Sequence, residues 1–235
     1  MAIAIEDPSM NRSQTSGIRQ AITRSIPSRR DLLRCQSGIA LTEFAMAFPI
    51  LLIFATSGLE LTNYALTVKR VGELAVMVSD NASRMGAQSA INNKPVSEAE
   101  INDVFIGADL QAANLNLSQK GKIVLSSLQR NEDGGQTIKW QRCFGGGAYQ
   151  SAYGPEGTGA TGTSFVGMGP EDHEVTAAAG TAVMVVEIHY TYKRLMPIIT
   201  LPLHDITEFS AYNVRDSRDI TQVYNTENVT PSTCT

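Results

Sequence analysis

A chain of 235 residues with a formal net charge of −4 has room for one ordinary domain and an extension, or for two small domains, and its acidity argues against nucleic acid as a partner. Charge is unevenly placed: residues 1–38 carry six Arg against Glu6, Asp7 and Asp31, a balance of +3 that leaves −7 for the rest. Cys35, Cys143 and Cys234 lie too far apart for the close pairs of a zinc or redox motif.

From Ile39 to Leu59 the chain is predominantly apolar and its only charge is Glu43. As a helix such a run spans roughly 30 Å, the thickness of a bilayer core. Arg24, Arg29, Arg30 and Arg34 precede it, and the positive-inside tendency then puts the N-terminus in the cytoplasm and residues beyond 60 outside. A secretory signal peptide shares this basic-then-apolar order. However, 38 residues precede the run, it is long for a signal, and no small-x-small cleavage site follows at once, so it reads as a retained single-pass segment. An acid in such a segment costs about 2.5–3.5 kcal/mol at its centre and marks a partner. Lying one turn inside, Glu43 could instead snorkel to the interface.

Gly38 precedes the run, with Glu43 as the fifth residue after it and Phe44 as the sixth. This arrangement resembles the processing site of type IV pilin-like precursors. More narrowly, "GIALTEFAMAFPILLIFATSGLELTNYAL" is similar to the N-terminal signature of the TadE-like minor pseudopilins of the tight-adherence (Flp) pilus system. The matching residues are Gly38, Ala40, Glu43, Phe44, Ala45, Pro49, Gly58 and, with a one-residue difference in spacing, Glu60. The resemblance is specific over residues 36–66; "VMVSDNASRM", "IKWQRC" and "FSAYNVRDSRD" extend it more weakly. It implies cleavage by a prepilin peptidase between Gly38 and Ile39, in the bacterial inner membrane. It also implies that the Glu43 carboxylate neutralises the new α-amine of a neighbouring subunit, which makes a buried charge tolerable and sets the register of adjacent helices. The implied role is assembly of an adhesive pilus with other pilin-like subunits. An alternative is an uncleaved single-pass envelope protein with a periplasmic ligand-binding or scaffolding domain; a third reading is a secreted hydrolase relying on His173 or His189.

Pro49 lacks an N–H and is expected to kink the helix or free a carbonyl near Ala45. Beyond the apolar run, Leu61, Tyr64, Val68, Val71, Ala75, Val78, Ala82 and Met85 recur at three- and four-residue steps. One helix over 39–86 is therefore expected, its seam packing on the chain's own domain or pairing with another pseudopilin helix. The expected organisation is a cytoplasmic leader (1–38), a transmembrane helix (39–59), its extension (60–90) and a periplasmic head (91–235).

In the head, Ser97 and Glu100 form a capping box for a helix over 97–114. Strands are expected at 122–130 and 137–144, joined through "NEDGGQ", then at 181–195 and 208–216. In the third, Met184, Val186, Ile188, Tyr190 and Tyr192 share one face, while Glu187, His189 and Thr191 mark the more exposed end of the other. The fold class is thus α+β: a long N-terminal membrane-spanning helix continuing into a small periplasmic head with an antiparallel sheet. Residues 145–170, Gly-rich, read as a mobile or extended insertion, not as core. The spacing of Gly157, Gly159 and Gly162 matches a dinucleotide fingerprint only formally, since no strand leads into it. "MPIITLPLHDI" is too short to span a membrane and could rest on lipid, on a partner, or as a buried loop. His173, His189 and His204 lack metal-site spacing, and no nucleophile or phosphate motif stands out, so no enzyme, metal or cofactor is expected. In an exported, oxidising compartment Cys143 and Cys234 favour pairing, while Cys35 would leave with the leader.

Overall fold

The computed structural model describes residues 37–86, 94–196, 201–215 and 218–234, so the leader's basic residues lie outside the described region. The chain divides into two units, Met1–Leu51 and Leu52–Thr235. Helix α1 (Ser37–Arg84, 48 residues) belongs to both.

In the first unit the helix is exposed from Gly38 to Leu51. Pro49 lies inside it, so the Ala45 carbonyl has no N–H four residues on to accept.

The second unit is an α+β domain. After α1 come β1 (Lys94–Ser97), α2 (Glu98–Ala112), a 3-10 turn (Ala113–Leu115), a one-turn α3 (Leu117–Lys120), β2 (Gly121–Arg130), β3 (Gln136–Phe144), β4 (Ala182–Tyr190), β5 (Ile206–Asn213) and β6 (Arg218–Tyr224). Strands β3-β2-β4-β5 form one antiparallel sheet; β1 and β6 pair in parallel. Both capping-box bonds at α2 are present: Glu100 N–H donates to Ser97 Oγ (3.2 Å) and Ser97 N–H to Glu100 Oε2 (3.1 Å).

The helical seam packs on the chain's own domain. Val71, Leu74, Ala75, Val78, Ala82 and Met85 join Ile101 and Phe105 of α2 and the sheet residues Ile123, Leu125, Met184, Val186 and Ile188 in one apolar cluster. Burying each such large side chain contributes roughly 1.5–3 kcal/mol. Leu61, at the start of the seam, stays 57% exposed.

A second cluster covers the other sheet face: Leu128, Ile138, Val183 and Val185 with Met168 and Ala177. Ile138 and Trp140 belong to opposite clusters although they are two apart. The register shift between β2 and β3, where Ser127 faces Trp140 and Leu128 faces Ile138, leaves Lys139 as the extra residue that reverses the alternation.

Three expectations are corrected. The Gly-rich segment is a built cover for the second face: Ile138 N–H donates to Thr158 O (2.9 Å), Gly157 N–H to Ile138 O (2.8 Å), and the Asn131 amide to the carbonyls of Gly159 (2.9 Å) and Gly162 (2.7 Å). Strand 181–195 stops at Tyr190, and Tyr192 leaves the sheet to reach α1. Glu187, read as part of an exposed end, is 2% exposed. The β1–β6 pair had no counterpart among the expected strands.

Candidate functional site

Among the described residues, α1 is long and apolar enough to cross a membrane, and its most apolar 18-residue stretch is wholly unburied. Gly38, Ile39, Glu43 and Phe44 lie on its first two turns, all exposed, with Phe44 packed on Phe48 at 5.2 Å between ring centroids. Among the described residues no hydrogen bond or ion pair reaches the Glu43 carboxylate.

Directly after the apolar run the situation reverses. Glu60 is fully buried, and its carboxylate collects donors from a distant loop. Tyr192 O–H donates to Oε1 (2.9 Å), Leu195 N–H to Oε2 (3.0 Å) and Met196 N–H to Oε2 (2.9 Å). Asn63 Nδ2 donates to the Tyr192 hydroxyl (2.7 Å), and the Tyr64 and Tyr192 rings meet edge to face at 5.0 Å. Burial, with the adjoining carboxylate, pushes the Tyr192 hydroxyl above its usual range, which keeps it a donor. Glu60 is thus a clamp between α1 and the chain after β4. Arg194 extends it by donating to the Leu201 carbonyl (2.7 Å). Leu201, Pro202 and Leu203 then face Phe54, Ser57, Gly58 and Leu61 across an apolar groove of about 510 Å³.

The head holds two further buried carboxylates. Glu187, on β4, accepts from the Tyr149 hydroxyl (3.1 Å), the Ser151 hydroxyl and Ala152 N–H (2.9 Å), which fastens the Gly-rich segment over the sheet. Burial, then the charge of Glu187, raises the Tyr149 hydroxyl to about 12. Glu98 receives Arg142 Nε at 3.0 Å on both oxygens, and Arg142 also reaches Glu156 (3.1 Å). That hydrogen bond to Glu98 is the main reason the guanidinium is held above its usual range. Cys143 and Cys234 are joined, Cα atoms 4.8 Å apart, across 91 positions of sequence. The bridge ties the tail to β3, where Cys143 N–H also donates to Ser232 O (2.7 Å).

His189 stacks on Tyr149 (4.7 Å), while His173 and His204 are exposed. Among the described residues no group of three or more His, Cys, Asp or Glu side chains is placed to hold a metal ion. Chemically the arrangement offers anchoring, with the carboxylates of Glu60, Glu187 and Glu98 satisfied by the chain itself and Glu43 without a bonded partner among the described residues. Glu60 was legible only as a motif match; Glu187 and Glu98 had no signal beyond an acid within or beside an apolar element. No family model, no curated protein and no solved structure matches the chain.

Proposed function

We propose that the chain is a TadE-like minor pseudopilin: inserted in the inner membrane through Ile39–Leu59, cleaved by a prepilin peptidase after Gly38, and used with other pilin-like subunits to assemble an adhesive pilus. The reading rests on one observation above all. The exposed apolar run Ile39–Leu59 carries a single acid, Glu43, at the fifth position after Gly38. Left alone in lipid, that carboxylate is costly; facing the amine that cleavage creates on Ile39 of an adjacent subunit, it is neutralised. The packing of Val71 to Met85 on the head supports a division of labour within α1, since this half is engaged by its own sheet and the N-terminal half is left free for lipid and for neighbouring helices. In this reading the head is periplasmic and its bridge between Cys143 and Cys234 belongs to an oxidising compartment. The protein acts by binding and is a substrate of the peptidase, not itself a catalyst.

The test separates processing from assembly. Gly38→Ala is expected to accumulate the full-length precursor, whereas Glu43→Ala is expected to be cleaved normally yet fail to co-purify with its pilin-like partners after crosslinking in the membrane. Normal co-purification of Glu43→Ala would remove the assembly role assigned to this carboxylate.

A further inference from the structure

The clamp at Glu60 raises the question of why a buried carboxylate should be spent on holding this particular loop. The described residues around it present apolar side chains outward: Leu195 is 60% exposed, Pro202 is exposed, and Leu201 and Leu203 are only half-buried beside a groove whose helical wall includes Phe54 (72% exposed) and Leu61 (57% exposed). Leu195 is held by its N–H on Glu60 and Leu201 by its carbonyl on Arg194, which keeps both where they stand, Leu201 beside the groove. Apolar groups held in the open at one place mark a surface that is covered in use.

Position says what covers it. Phe54 and Leu61 lie about 10 Å apart along the helix axis and bracket Leu59, the end of the apolar run. If that run crosses a bilayer, the groove falls at the outer boundary between acyl chains and headgroups. Exposed Lys193, next to the clamp, offers a cation to lipid phosphates at the same level.

We propose that Leu195 and residues 201–203 form an interfacial foot that inserts into the outer leaflet, with phospholipid acyl chains filling the groove against Phe54 and Leu61. The foot rests on the membrane reading of Ile39–Leu59. Glu60 is its positioning residue, and the foot fixes how deep the helix sits and how the head stands on the surface, as an interfacial anchor does. Lipid is its occupant.

The test uses the full chain with Cys35→Ser, leaving the Cys143–Cys234 bridge intact, reconstituted in phosphatidylcholine/phosphatidylglycerol vesicles with or without brominated acyl chains. A bimane label is placed singly at Leu195→Cys, Leu203→Cys, Met46→Cys within the apolar run, and Thr161→Cys on the exposed Gly-rich segment. Loss of emission with brominated lipid at 46, 195 and 203 but not at 161 is the expected result. Quenching at 46 with none at 195 and 203 overturns the foot and leaves the membrane helix standing. Absence of quenching at 46 removes the membrane reading and the foot with it. Quenching at all four positions means that the head adheres to lipid indiscriminately, and also overturns the foot.

Discussion

Glu60 and Glu43 are acids on the same helix, and their surroundings separate their roles. Glu60 is satisfied by Tyr192 and two backbone N–H groups, so Glu60→Ala leaves three donors without their acceptor. Hydrogen bonds to a charged group contribute about 1.5–3 kcal/mol, and the expected cost of the truncation lies in or above that range. Hydrogen exchange at the Leu195 and Met196 amides reads it directly: both speed up in Glu60→Ala, and unchanged protection would refute the clamp. Single glycines in the 145–170 segment sort in the same way. Gly159 has φ +70°, and a Cβ there would lie 2.3 Å from the Gln136 carbonyl oxygen; Gly157 has φ +88° with open space around it. Gly157→Ala should therefore cost only the left-handed backbone penalty, about 1–2 kcal/mol, while Gly159→Ala costs clearly more because β3 must move. Equal melting temperatures for the two variants would contradict a packed cover. Neither the Glu60 clamp nor this packing was readable beforehand, because a carboxylate's burial depends on donors more than a hundred residues away, and glycine content is the same in a loose loop and in one folded tightly through positive φ.

At the scale of elements, periodicity carried most of the information. The seam from Val71 to Met85 and the alternation of Met184, Val186 and Ile188 were visible because one buried face imposes a period on its side chains. The α2 start was visible because a capping box is local. What periodicity could not show was where β4 releases the chain, since Tyr190 and Tyr192 continue the alternation while only Tyr190 remains in the sheet. The parallel β1–β6 pair was hidden for a related reason: its strands are short and more than a hundred residues apart. The cover over the second sheet face makes a prediction in pH. An unfolded tyrosine titrates near 10; in the fold Tyr149 is raised to about 12, and burial raises Tyr153 and Tyr190 as well. A raised phenol stabilises the fold fully below its unfolded value and loses that contribution as pH climbs through the folded one. The melting temperature should thus hold to about pH 10 and fall between 10 and 12. Tyr149→Phe, whatever its cost at neutral pH, should flatten that alkaline fall. An identical alkaline slope in the variant would show that Tyr149 is not held by Glu187 and burial.

For the whole molecule, the bridge between Cys143 and Cys234 closes a loop of about 90 residues that contains the Gly-rich cover, β4, β5 and β6. On the loop-entropy model such a closure stabilises by roughly 4 kcal/mol. Cys143→Ser with Cys234→Ser is expected to lower the unfolding free energy by that order, read from denaturant midpoints at unchanged slope; a shift under about 1 kcal/mol would mean the tail is held by other contacts. The fold class was legible from the sequence because α1 and the sheet announce themselves separately, one by an apolar run and the other by alternation. The proposed function depends instead on a short stretch around Gly38 and Glu43, to which that proposal assigns partners outside the chain. The mature N-terminus therefore tests the account most directly. Intact mass and N-terminal peptide mapping would be done on the protein purified from cells with and without a prepilin peptidase. The account predicts a chain beginning at Ile39 only where the peptidase is active, and loss of that species in Gly38→Ala. A chain still beginning near Met1 beside an active peptidase would contradict it.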